Sequence, residues 1–261
     1  MNLDLTQKTA VVCGSTQGLG LASAVELALL GCNVVLLARN EDALKEAVQK
    51  LDINKGQQHS YLVADFTNTK MVKTVMHQFV EKNTVHILVN NTGGPAGGTA
   101  LAAKEEEFLS AFNNHLINNH NLVQAVVPGM KAVGFGRIIN IISTSVKAPI
   151  QGLGVSNTIR AAVANWAKTL ATELGSFGIT VNNVLPGFTQ TVRADYVIKN
   201  KAEKTGKTEE EVMKELVAEI PVGRIGLPEE FGAAVAFLCS PAAAYINGIN
   251  LPVDGGRLTC L

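Results

Sequence analysis

The chain has 261 residues, with 22 basic and 22 acidic side chains and a formal net charge of zero. This length suits one α/β domain, and a hydrophobic content of 47% is enough for a large core. The balanced charge and the lack of a long apolar run lead us to expect neither nucleic acid nor a membrane as a partner. Four scattered cysteines and a start without a signal-peptide pattern predict a cytoplasmic protein with reduced thiols.

Short apolar runs alternate with longer helical patterns along the chain, which is typical of parallel βαβ units. The runs are rich in Val, Ile and Leu, as expected for strands covered by helices on both faces. They predict seven strands, at Thr9–Cys13, Asn33–Ala38, Ser60–Ala64, Ile87–Asn90, Arg137–Ile142, Thr180–Leu185 and Asn250–Val253. Residues 1–261 are therefore expected to form a single α/β domain around one parallel sheet.

A glycine-rich turn follows the first predicted strand and opens a helix. Gly14, Gly18 and Gly20 permit a tight turn in which backbone N–H groups can approach a phosphate. The positive end of the helix dipole at that place favours negative charge. The same pattern also fits an ordinary glycine-rich turn, so the run alone does not decide between a phosphate site and a structural turn.

Further motifs resemble those of the short-chain dehydrogenase/reductase family. They are Asp65-Phe66 after the third strand, Asn90-Asn91-Thr92-Gly93 after the fourth, Gly136–Ser143, Pro186-Gly187-Phe188-Thr189-Gln190-Thr191 and the closing Asp254-Gly255-Gly256. With the glycine-rich turn, where Cys13 replaces a usual threonine, they span essentially the whole chain and are nearest the 3-oxoacyl-ACP reductase branch. The resemblance implies a doubly wound, Rossmann-type fold, a dinucleotide cofactor and a small carbonyl substrate, which an acyl thioester would satisfy.

The resemblance also implies which residues contact the cofactor. They are Gly14, Ser15, Thr16, Gln17, Gly18, Leu19, Gly20, Asp65, Phe66, Asn91, Gly93, Arg160, Pro186, Gly187, Thr189 and Thr191. Among them, Asp65 has a second interpretation as the N-cap of the helix that follows it.

The end of the second strand predicts NADP(H) rather than NAD(H). An Asp or Glu at this place would accept hydrogen bonds from a free ribose 2′-hydroxyl and repel a 2′-phosphate. The strand instead ends in Ala38-Arg39-Asn40, and the planar guanidinium of Arg39 suits a phosphate. The alternative is a solvated arginine in a loop.

The family's catalytic Tyr-x-x-x-Lys pair is missing. Thirteen residues after Ser143, where the tyrosine is expected, the chain has Ser156, and four residues later it has Arg160. An aliphatic hydroxyl is a much poorer acid than a phenol, and a guanidinium with a pKa above ~12 does not readily release a proton. Ser143 keeps its place as the group that polarises the carbonyl, and Arg160 can still bind ribose and supply positive charge.

The asparagine of the family's long fourth helix is replaced as well. Twenty-one residues before Gly136, this position holds His115. Histidine titrates near pH ~6.5, so His115 is predicted to donate a proton as part of a set with Ser143, Ser156 and Arg160. The alternatives are a histidine that only binds a backbone carbonyl, or Tyr196 as the proton donor. His115 and His120 are not spaced to share a metal, so no metal site is expected.

The one irregular region is Phe188–Pro221, after the sixth strand. Its sequence Thr208–Glu211 has the pattern of a capping box that opens an amphipathic helix. The preceding stretch Lys199–Lys207 is polar. We expect residues 188–221 to form a lid that is mobile without ligand and orders over cofactor and substrate.

Three functions fit these patterns: an NADP(H)-dependent carbonyl reductase with an unusual proton donor, a cofactor-binding protein without turnover, and a non-redox dehydratase or isomerase. The intact cofactor motifs and the hydrogen-bonding groups in the altered positions favour the reductase. Long helices predicted at Ala100–Val133 and Gly154–Phe177 resemble those that pair between subunits of the family. A homo-oligomer, specifically a tetramer, is therefore expected.

Overall fold

The computed structural model describes residues 1–260 and contains a sheet of seven parallel strands in the order β3-β2-β1-β4-β5-β6-β7. The strands are β1 (Thr9–Cys13), β2 (Asn33–Ala38), β3 (Ser60–Val63), β4 (Ile87–Asn90), β5 (Gly136–Ile141), β6 (Ile179–Pro186) and β7 (Asn250–Val253). All seven predicted strands are confirmed, with ends that differ by one residue or by none. The order reverses between β1 and β4, so a crevice opens there at the carboxyl ends of the strands.

Helices cover both faces of this sheet. They are α1 (Gly18–Leu29), α2 (Glu41–Val48), α3 (Thr69–Val80), α4 (Glu105–Phe112), α5 (Asn118–Val133), α6 (Gly154–Leu174), α7 (Val192–Thr205), α8 (Glu209–Ala218) and α9 (Pro228–Cys239). Residues of α1, α2 and α9 form one apolar core against the sheet, and residues of α3, α5 and α6 form the other. The Rossmann-type prediction is confirmed.

The predicted helix at Ala100–Val133 is only partly correct. Helical structure begins at Glu105, and a π-helical segment, Asn113–Ile117, joins α4 to α5. The start is fixed because the Glu107 carboxylate accepts a hydrogen bond from the Lys104 backbone N–H at 2.8 Å. The other predicted helix is present as α6, extended to Phe177 by one 3₁₀ turn.

A row of four asparagines crosses β4 to β7. Asn90 donates to Asn140 at 2.9 Å, Asn140 donates to Asn183 at 3.0 Å, and Asn183 donates to Asn250 at 2.8 Å. These residues face one another in the strand register. A slip of one residue would place an amide against an apolar neighbour, so the row fixes the register of these strands below the crevice.

The segment 188–221 is more regular than its sequence indicates. The capping box is confirmed, because Thr208 accepts from the Glu211 N–H at 3.2 Å and opens α8. The polar stretch Lys199–Lys207 was expected to be irregular, but Lys199–Thr205 forms the end of α7. The two helices pack against each other through a small apolar core that includes Ile198 and Leu216. This apolar packing stabilises the two helices of a segment that is otherwise rich in charged side chains.

Candidate functional site

A crevice of about 840 Å³ lies at the carboxyl ends of the strands, where the strand order reverses. Its walls come from the glycine-rich turn, the loops after β2, β3 and β4, the end of β5, helix α6, and the start of α7. Basic side chains of this wall are Arg39, Arg160 and Arg193, and its one acidic side chain is that of Asp65. The crevice therefore suits an elongated ligand with negative charges.

The glycine-rich turn has the geometry that a phosphate site needs. Gly14 and Gly18 have φ angles of +56° and +58°, which side-chain-bearing residues rarely adopt. A Cβ on Gly20 would lie 2.3 Å from the Gly14 carbonyl oxygen, so the helix could not pack so closely. No side chain caps α1, whose first turn also lacks acidic residues. Its free N–H groups face the crevice and favour an anion.

Two side chains hold this turn in place. Asn91 donates from Nδ2 to the carbonyl oxygens of Gly14, at 3.1 Å, and of Cys13, at 3.3 Å. Ser15 is buried, and its Oγ accepts from the Leu37 N–H at 3.1 Å. Ser15 was predicted to contact the cofactor, but its hydroxyl does not line the crevice. Gly20 does not line it either, and both residues shape the turn from behind.

Arg39 and Asp65 stand at the β2–β3 end of the crevice. Arg39 is exposed and forms no salt bridge with the acidic residues of the described chain. A hydrogen bond from Thr67 lowers the pKa of Asp65, as does Arg39 to a smaller extent. The N-cap of α3 is Asn68, so the alternative interpretation of Asp65 as that cap is wrong. Both side chains remain directed at the crevice.

Arg160 is a buried cation at the other end of the crevice. Its side chain belongs to a residue only 7% exposed, and Nη1 donates to the Ile141 carbonyl oxygen at 3.1 Å. Its Nε has no hydrogen-bond partner in residues 1–260, and no carboxylate of this part of the chain forms a salt bridge with it. Burial lowers the pKa of Arg160 to about 10, so the guanidinium stays charged at neutral pH.

The structure corrects the role expected for His115. Burial, with a smaller effect of the charge on Arg160, lowers the pKa of His115 from its ordinary 6.5 to about 3. The imidazole is therefore neutral at physiological pH and does not titrate near 6.5. Its Nδ1 shares a hydrogen bond of 2.5 Å with the Thr92 hydroxyl, so the alternative of a backbone partner is also wrong. His115 stands behind Thr92, which lines the crevice.

The two serines of the predicted set lie beside the crevice without lining it. Ser143 caps a short 3₁₀ turn, and its Oγ accepts from the Ser145 N–H at 3.1 Å. Ser156 is buried on α6, one helical turn before Arg160. Of the four residues predicted for catalysis, Arg160 alone contributes to the wall.

Known proteins share this architecture across the whole chain. Residues 14–257 match the family model described as enoyl-(acyl carrier protein) reductase. The chain is 33% identical over 253 residues to the 3-oxoacyl-[acyl-carrier-protein] reductase FabG of Chlamydia trachomatis, which covers 97% of this chain and 98% of the relative. The L-sorbose reductase of Gluconobacter frateurii, solved with NADPH and L-sorbose, superposes with a TM-score of 0.93 at 32% identity, and both chains are covered completely. This chain is a short-chain dehydrogenase/reductase.

The structure adds crevice residues to this short-chain dehydrogenase/reductase that its sequence did not single out. Asn114 lines the wall where His115 was expected, because the π-helical segment changes which side chains face the strands. The sequence indicated Thr92 only as a member of the motif Asn90-Asn91-Thr92-Gly93. Arg193 follows the N-cap of α7, and its guanidinium lies 5.2 Å from the ring centre of Tyr196. Tyr196, weighed above as a proton donor, also lines the crevice.

The remaining predicted contacts of this short-chain dehydrogenase/reductase do line the crevice. They are Thr16, Gln17, Leu19, Phe66, Gly93, Pro186, Gly187, Thr189 and Thr191. Thr191 caps α7, and its methyl group would lie 3.6 Å from a Cβ on Gly18. The start of α7 therefore lies directly against the phosphate turn.

Two searches of the described residues bear on metals and membranes. Residues 1–260 contain no group of three or more His, Cys, Asp or Glu side chains arranged to hold a metal ion. Within the same residues, no helix has the length and apolar character needed to span a bilayer.

Proposed function

We propose that this protein is an NADP(H)-dependent carbonyl reductase in which the usual phenol and lysine have been exchanged for other groups. The observation that carries the proposal is the crevice itself, in which a glycine-rich turn before an uncapped helix forms one end and the buried cation Arg160 lines the other. The G. frateurii relative was solved with NADPH, and the C. trachomatis relative is named a 3-oxoacyl-[acyl-carrier-protein] reductase. Both support the same reaction class for this chain.

The cofactor residues fit NADPH. The free N–H groups of α1 and the positive φ angles of Gly14 and Gly18 suit the pyrophosphate. The planar guanidinium of Arg39 can donate hydrogen bonds to the 2′-phosphate, and β2 does not end in an acidic residue that would repel this phosphate. Bound NADPH would supply a hydride to the substrate carbon, and the protein has to supply or relay a proton to the oxygen.

The four residues predicted for catalysis each have a proposed role, and none of them is the proton donor. Ser143 polarises the carbonyl, and Arg160 adds positive charge that stabilises the oxygen as it becomes negative. Ser156, one helical turn from Arg160, relays a hydrogen bond. His115 acts as a positioning residue, because its neutral ring fixes the Thr92 hydroxyl at the wall of the crevice.

Tyr196 is the best source of the proton. The titratable groups in the wall are Arg39, Asp65, Arg160, Arg193 and Tyr196. The arginines are assigned here as charges that bind anions, and Asp65, with its lowered pKa, is already ionised. Of these five side chains, Tyr196 alone carries a hydroxyl, the kind of group that can donate a proton to a carbonyl oxygen. Its residue is 57% exposed, so the lid has to close for this transfer.

A cofactor-binding protein without turnover is the second candidate. It is favoured by the Ser143 hydroxyl, which already accepts a hydrogen bond within its own turn, and by the absence of Ser143 and Ser156 from the crevice wall. A dehydratase or isomerase, with Arg160 and Ser143 as an oxyanion site, is the third.

One experiment separates the three functions. The purified protein is mixed with NADPH and a panel of ketones and 3-oxoacyl thioesters, and both NADPH absorbance and product formation are followed. Consumption of NADPH with formation of an alcohol supports the reductase. NADPH binding with no chemical change supports the binding protein, and conversion of substrate with NADPH unchanged supports the non-redox enzyme.

We also propose that the protein is a cytoplasmic homotetramer. Leu109 and Phe112 on α4, and Phe177 after α6, are exposed apolar side chains on the helices that resemble the family's pairing surfaces. Light scattering at micromolar concentration tests this, and a monomer would contradict it.

A further inference from the structure

Arg160 is a buried positive charge that nothing in the described chain neutralises. Within residues 1–260, its guanidinium donates one hydrogen bond, to the Ile141 carbonyl oxygen, and its Nε has no partner. The six salt bridges of this part of the chain all join exposed or half-buried side chains elsewhere. An unpaired buried charge is costly, so this guanidinium is expected to meet an anion in the crevice that it lines.

The phosphates of the cofactor are too far away to be that anion. Arg160 binds the end of β5, whereas the phosphate turn follows β1 and Arg39 follows β2. The order β2-β1-β4-β5 puts two strand spacings between β1 and β5 and three between β2 and β5. These correspond to roughly 10 Å and roughly 14 Å. Arg160 therefore stands at the substrate end of the crevice.

The surroundings of Arg160 suit a single negative charge. The nearby His115 is neutral, so it does not repel the guanidinium. The one acidic residue of the wall, Asp65, follows β3, four strands away from β5. Asn114, next to His115, adds an amide donor to the wall. The free edge of the guanidinium and this amide offer N–H donors to a planar, two-oxygen acceptor.

We propose that Arg160 anchors a carboxylate of the substrate, so that the protein acts on oxo acids rather than on neutral ketones. This inference rests on the proposed reductase function, and it names the substrate class of the same site. It gives Arg160 a contact with the substrate besides any contact with the cofactor ribose.

The test compares an oxo acid with its own ester. Levulinate and methyl levulinate carry the same ketone and differ in the negative charge. The wild-type protein should reduce the acid with a kcat/KM about tenfold or more above that of the ester, as expected for a charged hydrogen bond. With NADPH at a saturating concentration, Arg160→Met should abolish this preference, and Arg160→Lys should retain part of it.

Two results would overturn the proposal. One is an equal or greater kcat/KM for the ester with the wild-type protein. The other is an Arg160→Met variant that binds NADPH more weakly and keeps the preference for the acid, which would assign Arg160 to the ribose. Arg193→Met, which removes another positive charge from the same wall, is the matched control and should keep the acid-to-ester ratio.

A binding measurement separates this proposal from the reductase proposal. Calorimetry follows levulinate binding to the NADPH-loaded wild type and to Arg160→Met, with circular dichroism to verify that the variant is folded. If levulinate binds only to the wild type and no NADPH is consumed, the reductase proposal fails and the carboxylate site stands. If neutral ketones are reduced while levulinate neither binds nor reacts, the carboxylate site fails and the reductase stands.

Discussion

The two ends of the crevice differ in whether backbone atoms or side chains form them. At the cofactor end, the phosphate turn is made of backbone, and Gly14, Gly18 and Gly20 are required by φ angles or by close contacts. At the end that we assign to the substrate, the proposed chemistry depends on single side chains such as Arg160 and His115. A backbone site is lost only when the fold changes, but a side-chain site changes with one substitution. One protein can therefore keep its cofactor site and have a rebuilt reaction site.

The largest effect is expected from Tyr196→Phe, which tests the substrate end alone. Loss of the phenol should reduce kcat by ~10²–10⁴-fold, the usual contribution of general acid catalysis, while NADPH binding stays intact. Tyr245→Phe is the matched control, because Tyr245 is fully exposed and outside the crevice. Full turnover in Tyr196→Phe would leave water as the proton source.

Gly20→Ala tests the cofactor end alone. The added Cβ would lie 2.3 Å from the Gly14 carbonyl oxygen and 2.7 Å from Asn91 Nδ2, so the turn has to move. We expect NADPH affinity to fall by roughly a hundredfold, measured by fluorescence titration. Gly98→Ala is the control, since a Cβ there meets no atom within 4 Å. Equal NADPH affinity in the two variants would show that the turn is not the phosphate site.

Arg39→Ala tests the selectivity of the cofactor end. Removal of the guanidinium should weaken NADPH binding by about tenfold or more, the effect of losing a charge-assisted hydrogen bond, and leave NADH binding unchanged. NADH serves as the internal control because it lacks the 2′-phosphate. If the wild type binds both cofactors equally, Arg39 is a solvated loop residue.

His115→Asn concerns stability rather than turnover. The pKa of about 3 in the folded state lies below the ordinary 6.5, so between these values the unfolded chain binds more protons than the folded one. Stability should therefore fall as the pH drops from 7 to 5, and this group contributes about 2 kcal/mol of the loss.

Urea denaturation at pH 7 and pH 5 measures this dependence. His115→Asn should lose that part of it, and His77→Asn on the exposed side of α3 is the control. An unchanged dependence in His115→Asn would mean that the imidazole is charged in the folded protein. The pH–rate profile should likewise show no step from His115 near pH 6.5.

The sequence was sufficient for the sheet, and most of the residues that it singled out as cofactor contacts line the crevice. Short uninterrupted apolar runs such as Val34–Ala38 are typical of buried parallel strands, and the spacing of glycines indicates where the backbone turns tightly. The capping box at Thr208 is equally local, since both of its hydrogen bonds lie within four residues. Features that depend on neighbours in sequence were therefore predicted well.

Features that depend on distant neighbours were not predictable in this way. The pKa of His115 is set by burial and by Arg160, which is remote in sequence. The π-helical segment adds a residue to one turn, and no pattern of period 3.6 reveals that Asn114 would replace His115 at the crevice. The hydroxyl of Ser15 accepts a hydrogen bond from the backbone N–H of Leu37, which lies on β2 and is distant in sequence.

The asparagine row determines when, during synthesis, the strands below the crevice can complete their hydrogen bonds. Its last amide comes from Asn250, on the strand that is synthesised after the other six. Until that strand is added, the buried Asn183 lacks this acceptor for its amide N–H. Gly187 in the crevice wall likewise packs closely against Asp254, just beyond β7. A nascent chain therefore completes the floor of this crevice only after β7 has been synthesised.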